Sequence, residues 1–123
     1  MYSERLLDHF QNPRNVGELP PPAITVEGSN PVCGDILRLS AEFRDGRVAE
    51  VRYKTRGCTA SIAAGSALTE LLVGRTPPEI AALVPADIET AVGGLAAESK
   101  HAALLAIDVA RALVHAAAPA PRK

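Results

Sequence analysis

Between Ile36 and Lys54 the chain alternates in the two-residue rhythm of a strand, turns once, and alternates again, which fixes the centre of any fold it adopts. Leu37, Leu39, Ala41 and Phe43 fall on one face, and Arg38, Ser40, Glu42 and Arg44 on the other. Asp45-Gly46 between the two runs is a strong hairpin signal, because a two-residue turn needs positive φ, which Asp tolerates and Gly adopts freely. Arg47 to Lys54 returns with Ala49, Val51 and Tyr53 inward and Glu50, Arg52 and Lys54 outward. Such a hairpin buries one face and wets the other. Ala23 to Glu27 reads as a further short edge strand, following prolines 20, 21 and 22 and ending in a turn at Gly28-Ser29-Asn30-Pro31.

The remainder is helical in period. Ser3 caps a helix over Glu4 to Gln11, which Asn12-Pro13 ends, since the residue before a proline avoids the helical region. From Thr59 the apolar Ile62, Ala63, Ala67, Leu68, Leu71 and Leu72 recur at helical spacing until Gly74. Thr76-Pro77-Pro78-Glu79 is a capping box with proline in the first turn, and a second short helix is expected from Asp87 to Val92 before Gly93-Gly94. An Ala-rich helix from Ser99 to Ala118 carries Leu104, Leu105, Val109, Leu113 and Val114, and residues 118–123 read as a flexible tail. Strands first and helices after describe an α+β two-layer single domain spanning 1–123, a small three-stranded antiparallel sheet with helices packed on one face.

Composition narrows the function. Thirteen Lys and Arg against fourteen Asp and Glu leave a formal charge of -1, so no basic excess favours nucleic acid. No apolar run approaches the roughly 20 residues of a membrane span, and the charged N-terminus lacks a signal-peptide core, so a cytoplasmic protein is expected. There is no Ser-His-Asp elbow, no phosphate-cradling glycine loop and no pocketed carboxylate pair, so an enzyme is not expected. His9 is read as an anchor of the first helix, Arg14 as a loop-stabilising or partner-contacting residue, and His115 as a solvated side chain.

Two cysteines are too few for a disulfide scaffold. Cys33 and Asp35 project from one proline- and glycine-bracketed turn, Asn30-Pro31-Val32-Cys33-Gly34-Asp35. Cys58 follows Gly57 at the start of a helix, where backbone N–H groups favour a thiolate, and His101 opens the last helix, where the same dipole favours the neutral imidazole a metal requires. Two sulfurs, an imidazole and a carboxylate suit zinc or an incompletely thiolate-ligated iron–sulfur cluster, although their wide spacing matches no zinc-finger pattern.

The segments Asp8-His9-Phe10-Gln11-Asn12-Pro13-Arg14-Asn15-Val16-Gly17, Asn30-Pro31-Val32-Cys33-Gly34-Asp35, Gly57-Cys58-Thr59-Ala60-Ser61-Ile62-Ala63-Ala64-Gly65-Ser66 and Lys100-His101 resemble, in order and spacing, the IscU/NifU N-terminal family of iron–sulfur cluster assembly scaffolds. The resemblance covers nearly the whole chain and implies a small antiparallel sheet with helices on one side. It implies a scaffold that receives sulfur from a cysteine desulfurase as persulfide, collects iron, builds a transient [2Fe-2S] cluster and hands it to acceptor proteins. It also implies metal ligands at Cys33, Asp35, Cys58 and His101, with Asp35 as the residue that keeps the cluster labile and a third cysteine as the usual sulfur acceptor; in this chain the candidate sulfur acceptors are Cys33 and Cys58, by thiolate attack.

The chain departs from that family in two places. Ala102 follows His101 where the family has a third cysteine, so a monomer offers only two thiolates. Leu95-Ala96-Ala97-Glu98-Ser99 replaces the family's Leu-Pro-Pro-Val-Lys segment, so release by a dedicated Hsp70 chaperone is not expected. The alternatives are a zinc-binding sulfur carrier of the SufU type, working with the desulfurase through the same four residues, and a degenerate paralogue that binds the desulfurase without building a cluster. A monomer or weak oligomer is expected.

Overall fold

The computed structural model describes residues 2–31 and 34–117. Three strands, β1 (Ile24–Asn30), β2 (Asp35–Arg44) and β3 (Arg47–Arg56), form an antiparallel sheet in the order β1-β2-β3. Five helices accompany it: α1 (Glu4–Gln11), α2 (Thr59–Leu72), α3 (Pro77–Ala81), α4 (Pro85–Ala91) and α5 (Lys100–Ala117). A 3-10 turn, Ala97–Ser99, leads into α5. The result is the α+β two-layer arrangement that the change of period implies.

The hairpin turns at Asp45 (φ 54°) and Gly46 (φ 78°), the positive-φ pair expected of a tight turn. One detail differs from strict alternation. Glu42 pairs with Glu50 but Phe43 pairs with Val48, so Ala49 is an extra residue in β3. This bulge turns Val48 into the core beside Val51 and Tyr53, and leaves Ala49 half-buried.

A second difference lies in β1, which runs on through Gly28, Ser29 and Asn30, opposite Leu37, Ile36 and Asp35, instead of turning there. Gly28 is required by packing: a Cβ at this position would stand 2.7 Å from Val109 Cγ2 of α5. The glycine marks the close approach of a helix to a strand, not a turn. Residues 15–17 also add to the sheet, with the Tyr53 N–H donating to the Asn15 carbonyl and the Gly17 N–H to the Tyr53 carbonyl, which covers the free edge of β3.

Leu37, Leu39, Ala41, Val51 and Tyr53 pack against Ala60, Ala64 and Leu68 of α2 and Ala106, Val109 and Leu113 of α5. Leu6 joins Ala63, Ala67 and Val92 in a smaller cluster under α1. Small residues dominate the inner sides of α2 and α5, which lets both helices lie close to the sheet. The opposite sheet face is charged, with Arg38 paired to Glu27 and Glu18.

Helix boundaries follow their caps. The Ser3 hydroxyl accepts the Leu6 N–H at α1, and Thr76 with Glu79 forms the capping box of α3. α4 begins at Pro85 rather than Asp87, because the Asp87 carboxylate reaches back to accept the Val84 N–H. Among the described residues no helix is long and apolar enough to cross a membrane. The tail expected at 118–123 lies outside the described residues.

Candidate metal centre

Three of the four residues singled out in the sequence meet at one rim. Asp35 opens β2, Cys58 is the N-cap of α2 immediately after β3, and His101 is the second residue of α5. Three chain ends from three elements thus converge. Cys33 lies outside the described residues.

His101 Nε2 is 3.3 Å from Asp35 Oδ2 and 3.7 Å from Cys58 Sγ, and Cys58 Sγ is 3.8 Å from the same Asp35 oxygen. A tetrahedral ion with Zn–N and Zn–O bonds of about 2.0–2.1 Å and a Zn–S bond of about 2.3 Å separates its ligand atoms by about 3.3 Å (N to O) and about 3.6 Å (to S). The triangle is therefore close to one face of a tetrahedron. Soft sulfur, borderline imidazole and hard oxygen together suit zinc or iron.

The imidazole is set in the right form. His101 Nδ1 lies 3.1 Å from the Glu98 carbonyl oxygen, which can only accept, so Nδ1–H donates there and Nε2 is the ring nitrogen turned to the triangle. The 3-10 turn before α5 places that carbonyl. This backbone brace is the kind of outer contact that fixes a metal-binding histidine.

Asp35 is buried while Cys58 is exposed, so the site is anchored on one side and open on the other. The Ser61 hydroxyl, one turn along α2 from Cys58, donates to Asp35 Oδ2 and stands 3.5 Å from Cys58 Sγ. Gly57 lies under the carboxylate, and a Cβ there would come within 2.7 Å of Asp35 Oδ1.

The sequence profile of the NifU-like N-terminal domain family matches residues 1–118. The chain belongs to that family. An Archaeoglobus fulgidus relative, iron-sulfur cluster assembly scaffold protein IscU 1, is 38% identical over 111 residues, covering 90% of this chain and 72% of the relative. The Escherichia coli K12 scaffold protein IscU is 36% identical over 118 residues, covering 92% and 91%. The solved N-terminal part of a NifU-like protein from Brucella abortus superposes with a TM-score of 0.74 at 19% identity, covering 92% of this chain and 91% of that one. The α+β fold is thus that of its NifU-like neighbours.

As a NifU-like domain, the chain carries Ala102 on the inner side of α5, only 2% exposed and packed in the main core. Ala102 is thus a core position beside a rim residue. His9, which is buried, belongs to a different network. Its Nδ1 lies 2.8 Å from the Ser66 hydroxyl, which also accepts the Arg14 N–H at 2.9 Å. Arg14 reaches Asp8 at 2.6 Å and the Asn12 carbonyl at 3.1 Å. Both residues therefore tie α1 and its following loop to α2, as anchor and loop brace. Burial pushes the His9 imidazole below its ordinary value, the neighbouring Arg14 charge adds to this, and Glu70, 3.6 Å from Nε2, opposes it. His115 is exposed.

Ser61 and Gly57 belong to the site although their residue types do not mark them as ligands; Ser61, three residues beyond the helix N-cap, lies one turn on and on the same side of the helix as Cys58.

Proposed function

We propose that this chain is an iron–sulfur cluster assembly scaffold, with Cys33, Asp35, Cys58 and His101 taking iron and a transient [2Fe-2S] cluster as cargo. The observation that carries the reading is the preformed triangle of Asp35 Oδ2, Cys58 Sγ and His101 Nε2, with ligand atoms all within 4.8 Å of one another, in a chain 36% and 38% identical to proteins named as such scaffolds. Cys33, next to Asp35 but one in sequence, supplies the second thiolate. A cysteine desulfurase is the sulfur donor, and acceptor proteins take the cargo. One hard oxygen among softer donors weakens the hold on an iron–sulfur group and favours release. The scaffold works in the cytoplasm, as a monomer or weak oligomer, without turnover chemistry of its own and without a dedicated Hsp70.

A specific observation favours a second reading. In a [2Fe-2S] cluster two bridging sulfides occupy half the tetrahedron of each iron, leaving two protein ligands per metal. The three donors here sit at the separations of a single ion. That geometry suits a zinc-dependent sulfur carrier, in which the thiolate of Cys33 or Cys58 attacks the outer sulfur of the desulfurase persulfide. The new Cys–S–S bond forms as the desulfurase thiolate leaves.

Anaerobic reconstitution with ferrous iron, a cysteine desulfurase, cysteine and a two-electron reductant to complete the reduction of persulfide sulfur to sulfide, with the sulfur-labelling arm run without the reductant, separates the readings. A scaffold develops visible charge-transfer bands that are lost in Cys58→Ser and passes its cluster to an apo-ferredoxin. A colourless protein with one tightly held zinc and labelled sulfur on Cys33 or Cys58 identifies the carrier. Desulfurase binding with neither result identifies the degenerate paralogue and contradicts both readings.

A further inference from the structure

Asp35 is the only buried member of the described triangle, and what holds it there is specific. Its Oδ2 faces Cys58 and His101, and accepts the single hydroxyl proton of Ser61. A carboxylate only accepts, so the Ser61 proton goes to Asp35 and not away from it. The other oxygen, Oδ1, rests over Gly57, where any side chain would collide with it. Ser61 itself is buried in the first turn of α2.

We infer that Ser61, with Gly57 beneath, is a positioning residue that holds Asp35 as a one-oxygen ligand, presenting Oδ2 alone to the metal. This rests on the metal-site reading above and deepens it. The reason is steric and electrostatic together. A carboxylate free to turn about its Cβ–Cγ bond can bring both oxygens to a metal or neither, and each departs from the four-coordinate geometry that the triangle prefigures. The hydroxyl fixes one oxygen in the triangle, and the bare Cα of Gly57 gives the other a place to lie. Hydrogen bonds of this kind to a ligating carboxylate orient it, and their loss costs about 10- to 100-fold in metal affinity.

The test loads parent, Ser61→Ala and Asp35→Asn proteins, and the double variant, with cobalt(II) and zinc under anaerobic conditions. The parent should bind one ion with the intense visible bands of four-coordinate cobalt. Ser61→Ala should bind about 10- to 100-fold more weakly, with weaker bands typical of higher or mixed coordination. Adding Ser61→Ala to Asp35→Asn should change affinity by less than about threefold, because the hydroxyl acts through the carboxylate. Ser61→Ala that keeps parental affinity and spectrum overturns the positioning role while leaving the site intact. An effect of equal size in the Asp35→Asn background also overturns it, since Ser61 would then act through the fold. A parent that binds no ion overturns the site reading itself, and the inference with it.

Discussion

A methyl group on Gly65 would stand 2.5 Å from Cε2 of Tyr53, so the Tyr53 ring lies flush against α2 only because residue 65 has no side chain. The ring is buried, and its hydroxyl donates to the Ile62 carbonyl at 2.8 Å; burial pushes the phenol up to about 12. This contact joins β3 to the helix that begins at Cys58. Gly65→Ala gains roughly 1 kcal/mol in helix propensity but forces the ring or helix to move, at about 1–3 kcal/mol. The urea midpoint of Gly65→Ala should fall below the parent's. A higher midpoint contradicts the close contact.

The His9 network gives a pH dependence of definite sign. The folded imidazole titrates below its ordinary 6.5, so between the two values the unfolded chain binds more protons. Stability from this group is present above about pH 6.5 and is lost as pH falls through the lower folded value. Urea unfolding of the parent and of His9→Gln at pH 7.5 and pH 5.5 checks it. The parent should lose more stability than the variant on acidification; equal losses contradict a neutral buried His9.

Removing a ligand should weaken zinc binding without unfolding the protein, because Cys58 and His101 lie at the rim and not in the core. Cys58→Ser and His101→Ala are each expected to lose at least about tenfold in zinc affinity, measured by competition with a chromophoric chelator. His115→Ala, which alters an exposed residue on the same helix, should retain parental affinity.

Restoring a thiol after His101 has two opposed effects. Ala102 is almost fully buried, so the larger Cys must displace core neighbours. The apo form of Ala102→Cys should lose about 1–3 kcal/mol of stability. An additional thiolate should nevertheless lengthen the life of a reconstituted cluster, followed by the decay of its visible absorbance. A cluster that decays as fast as the parent's contradicts a role for a residue-102 thiolate in holding it.

Much of this architecture is legible in the chain because local and global preferences agree. Asp45-Gly46 sets the hairpin, Ser3 and Thr76 mark helix starts, and the alternation from Ile36 onward gives the buried face. What misleads is a residue whose signal has two physical causes. Gly28 is ambiguous between a turn and a close helix approach, and only the position of Val109 decides. Ala49 is ambiguous because a one-residue bulge resets the alternation without leaving a mark in composition. Asp35, Cys58 and His101 are visible as metal-binding types at element ends, but their convergence is a consequence of topology. Ser61 and Gly57 are less visible still, since a helix serine and a junction glycine acquire meaning only when the Asp35 carboxylate is seen between them.

The most direct measurement is zinc-edge X-ray absorption on the singly loaded protein and on its Cys58→Ser variant. A four-coordinate ion with mixed ligands, sulfur at about 2.3 Å and nitrogen or oxygen at about 2.0–2.1 Å, is the expected result, with one sulfur lost on substitution. A shell without sulfur, or one unchanged when Cys58 is replaced, would show that the ion is held elsewhere and that the triangle of Asp35, Cys58 and His101 is not its site.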